Sequence, residues 1–152
     1  MTLMQRVHQA RVHSRRVRVL AEHIGELIPS GASVLDVGSG DGLLASVVLA
    51  RRPDLTWSVV DTLERPKTYV PVQLFDGRQL PFEDKQYDFV CFLDVLHHAA
   101  DPMVLLSEGI RVARSALVIN DHLREGFAAG ATLRFMDWVG NSSFGVNLPY
   151  NY

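Results

Sequence analysis

The sequence predicts a single α/β domain, a mostly parallel sheet with helices on both faces. Three observations carry that expectation. An apolar strand, Val34-Leu35-Asp36-Val37, runs into a turn punctuated by Gly38, Gly40 and Gly42 and then into a helix. Apolar runs of strand length alternate with helical periodicities along the rest of the chain. Acids stand at successive strand ends, at Asp36, Asp61, Asp76 and Asp94.

Leu3, Val7, Ala10, Val17, Leu20, Ile24 and Leu27 recur at three- and four-residue steps, which predicts one or two amphipathic helices over residues 3–28, closed by Pro29-Ser30-Gly31. The opposite face carries Arg6, Arg11, Arg15, Arg16 and Arg18. It reads either as a solvated basic face or as a cover over a ligand and a grip on an anionic substrate. His8 and His13 read as solvent-facing. Val34, Leu35 and Val37 suit a strand buried on both faces. Glycines at spacing two then permit a sharp turn and a close ligand. Residues 43–52 continue as a helix with Leu44, Val47 and Val48 on one face.

Arg52-Pro53-Asp54 makes a turn, and residues 56–60 form a second strand closing at Asp61. Pro66 and Pro71 leave little room for a crossover helix before a third strand at 72–75. Arg65 and Lys67 therefore fall on a loop, as solvated charges or as substrate contacts. Asp76-Gly77 follows and also spells a turn. Residues 87–93 are a buried strand leading into Asp94-Val95-Leu96-His97-His98. Asp101 caps a helix with Pro102 in its first turn, and residues 116–119 form a fifth strand ending in Asn120-Asp121-His122. Leu133, Phe135, Met136 and Trp138 predict a further helix within 126–141.

The glycine turn narrows the chemistry. A dinucleotide fingerprint G-x-G-x-x-G would need a third glycine at position 43, where Leu43 stands. Asp36 and Asp41 beside the loop would repel a pyrophosphate and attract a sulfonium and an ammonium. That points to S-adenosylmethionine, against the alternative that the glycines only satisfy turn geometry. Asp61, about twenty residues past the glycines, is placed to hold a ribose diol, with Glu64 as the fallback.

Several linked stretches in order, VLDVGSGDG, VVD ending at Asp61, FDGRQLPFEDKQYDFV and DVLHHAADP, resemble the class I S-adenosylmethionine-dependent methyltransferases, type 11 small-molecule group. The resemblance spans about residues 15–125. It implies a Rossmann-like methyltransferase fold with strand order 3-2-1-4-5. It implies S-adenosylmethionine held by Asp36, Gly38, Ser39, Gly40 and Gly42, by Asp61 and Thr62, by Asp76 and Gly77 at the adenine with Leu80 nearby, and by Asp94. The family usually has seven strands, and only five are counted here. The last two therefore read as missing, with 1–30 a helical cover, 31–125 the core and 126–152 an incomplete C-terminal part. A homodimer through the fifth strand, a partner, or the tail bearing Phe144, Tyr150 and Tyr152 would then cover that edge; the same aromatics equally suit a substrate pocket.

Methyl transfer is a displacement in which positioning supplies much of the rate. His98 or His122 would serve as base for an acceptor that must lose a proton, with Asp121 orienting a histidine or the acceptor. No spacing compels a zinc site, and no metal is expected. The expected function is methyl transfer to a small-molecule acceptor. The alternatives are a non-catalytic cofactor-binding module completed by a partner and, third, a nicotinamide oxidoreductase. With 152 residues and 47% hydrophobic content one domain is expected, and a net charge of -2 gives no reason to expect nucleic acid. No apolar run approaches the ~20 residues of a membrane span. The single Cys91, in an apolar run, fits a buried core residue and a reducing cytoplasm.

Overall fold

The computed structural model describes the backbone of residues 3–121 and the side chains of residues 15–121. His122, the helix expected within 126–141 and the aromatic tail lie outside the described residues. A long helix α1 (Leu3–Leu27) precedes β1 (Ser33–Val37), α2 (Leu43–Arg51), β2 (Thr56–Asp61), β3 (Val72–Leu74), β4 (Tyr87–Leu93), a 3-10 turn at Leu96–His98, α3 (Pro102–Val112) and β5 (Ala113–Asn120). The five strands form one sheet in the order β3-β2-β1-β4-β5. Every pairing is parallel. The expected order is therefore observed, and all strand ends that bear the acids lie along one edge, where open α/β sheets collect ligands.

Two apolar layers sandwich the sheet. On one face Ala21, Ile24 and Ile28 pack with Ala45 and Val48 of α2 against Val34 and Val59. On the other, Leu105 and Val112 of α3 pack with Leu80 against Leu35, Val60 and Phe92. Each such buried aliphatic or aromatic side chain contributes roughly 1.5–3 kcal/mol. Cys91 is fully buried in the first layer, where burial pushes its thiol well above the usual range. Arg52 fastens α1 to the sheet: its guanidinium donates to the carbonyls of Gly25 and Ile28 at the end of α1 and grips Asp54 at 2.7 Å.

α3 begins as its sequence suggests, with the Asp101 carboxylate accepting the Met103 and Val104 N–H groups. It ends differently. The expected gap before β5 is absent, because the strand starts at Ala113, directly after the helix. Lys85 makes this abrupt junction workable by donating from Nζ to the carbonyls of Ile110 at 3.0 Å and Ala113 at 2.8 Å, which are orphaned at a helix end. Between β2 and β3 the chain is a loop with no helix, as Pro66 and Pro71 imply. Among the described residues, no helix is long and apolar enough to cross a membrane.

Candidate cofactor cleft

A cleft of about 870 Å³ opens at the carboxyl ends of β1, β2 and β4. Its floor is the glycine turn. The N–H groups of Gly38 and Ser39 reach back to the Val60 carbonyl at 2.8 and 3.4 Å, pinning the turn to the end of β2. The glycines serve different ends. Gly38 has φ +77, and a Cβ there would sit 2.1 Å from Val95 Cγ2, so it is a close-packing position. Gly40, φ +63, has nothing within 4 Å of a built Cβ. It is the point where the backbone faces open cleft.

Asp61 is the organiser of this floor. Its Oδ2 accepts the Gly40 N–H at 2.7 Å and its Oδ1 the Leu63 N–H at 2.9 Å. Each carboxylate oxygen retains a second lone pair, and Asp61 and Thr62 line the cleft. Glu64 does not. Asp76 also lines it, while its Oδ1 accepts the Arg78 and Gln79 N–H groups, each at 2.8 Å. Those bonds, with the Arg78 charge nearby, hold its carboxyl below the usual range. The turn and the ligand-facing position thus coexist at Asp76-Gly77. Leu80, expected beside an adenine, is instead buried in the core under α3, its N–H held by Glu108 at 2.9 Å.

Asp36 lies outside the main cleft, at a side cavity of about 140 Å³ between α1 and the glycine turn. Ser39 Oγ donates to its Oδ2 at 2.8 Å. Its Oδ1 is buried without a hydrogen-bond partner. Burial raises the Asp36 pKa to about 6, with Asp61 adding to the rise and the Ser39 hydroxyl and Trp57 indole opposing it. The same side cavity is bordered by Arg16 and Asp94. These two pair across 78 residues of sequence, so α1 covers this end of the site and Arg16, at least, is more than a solvated charge. Asp94 itself sits at φ +58, its N–H donating to the Asn120 carbonyl at 2.7 Å.

At the ends of β4 and β5 the residues are tied to one another. His98 lines the cleft. Asp121 turns inward: its Oδ2 accepts the Leu96 N–H at 2.7 Å and the His97 N–H at 3.3 Å, and its Oδ1 lies 2.5 Å from His97 Nδ1. A carboxylate can only accept, so Nδ1 carries the hydrogen. The buried His97 ring lies 3.9 Å from that of His98, centroid to centroid. His97 was the residue the sequence reading passed over. Its signal was its apolar-flanked position next to a second histidine, indistinguishable there from a packing residue.

Among the described residues no group of histidine, cysteine, aspartate and glutamate could hold a metal ion. The donor set instead fits S-adenosylmethionine: open space over Gly40, an unpartnered buried carboxylate oxygen at Asp36 for a cationic end, and Asp61 with spare lone pairs. Residues 6–141 match a family model described as a methyltransferase domain. The chain is 30% identical over 113 residues to a ubiquinone biosynthesis O-methyltransferase of Acinetobacter baylyi, covering 66% of this chain and 45% of the relative. It is 44% identical over 48 residues to ribosomal RNA small subunit methyltransferase G of Kineococcus radiotolerans, covering 32% and 19%. A similar fold is seen in a SAM-dependent methyltransferase from Aquifex aeolicus, at 21% identity and a TM-score of 0.57, over 70% of this chain and 66% of that one. The chain spans less than half the length of the curated relatives it matches. With the matched domain covering most of its length and the sheet order and glycine turn in place, the chain belongs to the class I S-adenosylmethionine-dependent methyltransferases of the type 11 kind.

Proposed function

We propose that this domain binds S-adenosylmethionine along the ends of β1 and β2 and methylates a small organic acceptor presented at the ends of β4 and β5. The observation that carries the reading is the Gly40–Asp61 pairing, which presents open backbone and a carboxylate with spare acceptor capacity to the same cleft. Asp61 and Thr62 take the ribose hydroxyls, and Asp76 with Gly77 takes the adenine edge. Gly38, Ser39 and Gly42 shape the turn, and Asp36 with Asp94 faces the amino-acid end. The relative matched over the longer stretch is named for O-methylation in ubiquinone biosynthesis. That favours a small organic acceptor over ribosomal RNA, whose methyltransferases match over 48 residues or fewer.

Bound, the cofactor supplies an electrophilic methyl carbon on a sulfonium. The chain's own part is alignment: Asp61 fixes the turn beneath the cleft, and α1, through Arg16, closes its side. His98, at the cleft wall, accepts the acceptor's proton where one must leave. Asp121 acts through His97, and His122 remains a candidate only by sequence. The alternative of a non-catalytic binding module draws on one observation, that β5 is the outer strand of the described sheet.

Calorimetric titration with S-adenosylhomocysteine, and with reduced nicotinamide cofactor as control, tests the reading. Micromolar binding of the first alone, lost in Asp61→Ala, is expected. A chain that binds neither, or binds the nicotinamide, refutes it. Binding with no methyl transferred to any member of a phenol, amine and thiol panel favours the module.

A further inference from the structure

The charged groups around the cleft are satisfied unequally. Its acids all have partners inside the fold: Asp41 accepts the Leu43 N–H at 3.0 Å, Asp61 and Asp76 accept backbone N–H groups, and Asp94 pairs with Arg16. Its three cations do not. Arg65, Lys67 and Arg78 line the same cleft, and none lies within ion-pair distance of a carboxylate among the described residues. Asp76 feels the Arg78 charge but spends its bonds on the Arg78 and Gln79 backbone. Lys67 lies 5.5 Å from the Tyr69 ring centroid. Arg65 is half-buried, and its Nε–H is out of solvent with no acceptor. An unmet buried donor costs about 1–3 kcal/mol, more when charged.

Nor are Arg65 and Lys67 on a loose segment. The loop that replaces the crossover helix is seated on the glycine turn, with the Tyr69 N–H on the Asp41 carbonyl at 2.8 Å and Val70 packed where Gly42 lacks a side chain. Two cations are thereby held at the mouth, with Arg78 across from them on the turn after β3. The family's cofactor is no counter-ion for them, because its sulfonium and ammonium outweigh its carboxylate.

We infer that Arg65, Lys67 and Arg78 form an anion seat at the mouth of the cleft and that the acceptor is a small molecule bearing a carboxylate or phosphate. A guanidinium and an ammonium converging on one mouth suit such groups. This rests on the methyl-transfer reading above, which it sharpens by naming the acceptor's charge.

The test is titration of the chain, saturated with S-adenosylhomocysteine, with phenyl phosphate, with benzoate and with uncharged anisole. Saturable binding of at least one anion and not of anisole is expected, weakened about tenfold in Arg65→Gln and in Lys67→Gln. S-adenosylhomocysteine affinity should stay unchanged in both variants, which also certifies their folding. The stronger of the two anions identifies the group. Binding of S-adenosylhomocysteine with no saturable anion binding, or anion binding indifferent to both substitutions, overturns the seat and leaves the cofactor reading standing. Absence of S-adenosylhomocysteine binding overturns that reading and the acceptor assignment together. A short single-stranded RNA that binds through Arg65 where phenyl phosphate and benzoate do not overturns the small-molecule acceptor.

Discussion

Two aspartates organise the two halves of the ligand edge by similar means. Asp61, at the end of β2, collects the N–H groups of Gly40 and Leu63; Asp121, just past β5, collects those of Leu96 and His97 and adds the His97 ring. The difference is where each carboxylate looks. Asp61 lines the cleft, whereas Asp121 stands behind the 3-10 turn and reaches the cleft only through His97 and the His98 ring beside it. One half thus shapes its site with backbone and presents the organising acid to the ligand. The other hides the organising acid and presents a side chain.

The largest effect should come from the backbone-built half. Gly38→Ala places a methyl 2.1 Å from Val95 Cγ2 at a φ of +77. Overpacking and the left-handed backbone together cost about 4 kcal/mol. Urea denaturation should show either that loss or an unfolded chain. A Gly38→Ala variant of near-native stability would mean that Val95 and the 3-10 turn yield freely, and the contrast between a rigid and an adaptable half would fall.

Next in size is Asp36, the acid buried between the glycine turn and α1. Its pKa of about 6, against 3.8 for an unburied group, means the folded chain holds this proton more tightly than the unfolded chain. Its contribution is therefore complete below pH 4 and is lost as pH rises through 6. Relative to Asp36→Asn, the natural chain should lose about 3 kcal/mol of stability between pH 4 and pH 8. A pH-independent difference between the two melting curves would show that the carboxyl is not desolvated. Cofactor binding should run the other way, strengthening as pH rises through 6, since only the ionised carboxylate attracts a cation.

Much of this edge was readable from residues alone, for local reasons. The Asp36 to Gly42 stretch writes strand, turn and helix start within nine positions, and Asp101-Pro102 writes its own cap; both encode contacts close in sequence. Pro66 and Pro71 forbid a helix wherever they stand. What escaped depends on distance. Arg16 meets Asp94 across 78 residues and Asp121 meets His97 across 24, and nothing in either segment names its partner. Leu80 was misplaced for the same reason: its neighbour Glu108 arrives from α3. The direct passage from α3 into β5 depends on Lys85, supplied from the far end of β4.

The two aspartates give a matched pair of smaller size. Asp61→Ala and Asp121→Ala each strand two backbone N–H groups, and each should cost about 2 kcal/mol. Thermal melts should therefore barely separate them. Titration with S-adenosylhomocysteine should, with affinity falling about tenfold or more in Asp61→Ala and little in Asp121→Ala. Equal losses of affinity would show that both acids face the cofactor and that the division of the edge is wrong.

The smallest stability change, and the sharpest reading of the cleft, belongs to Gly40→Ala. Like Gly38 it has a left-handed φ, here +63, so an alanine pays for the backbone in both places. Unlike Gly38, nothing lies within 4 Å of the added Cβ. The loss should be only about 1 kcal/mol. The methyl would instead project into the space where the Gly40–Asp61 pairing holds the backbone open to the cleft. A folded, cooperative Gly40→Ala chain with S-adenosylhomocysteine affinity reduced at least tenfold would locate the ligand over that glycine. Unchanged affinity in the folded variant would move the cofactor off the turn and leave Gly40 a mere turn residue, so one methyl placed two residues apart separates packing from recognition.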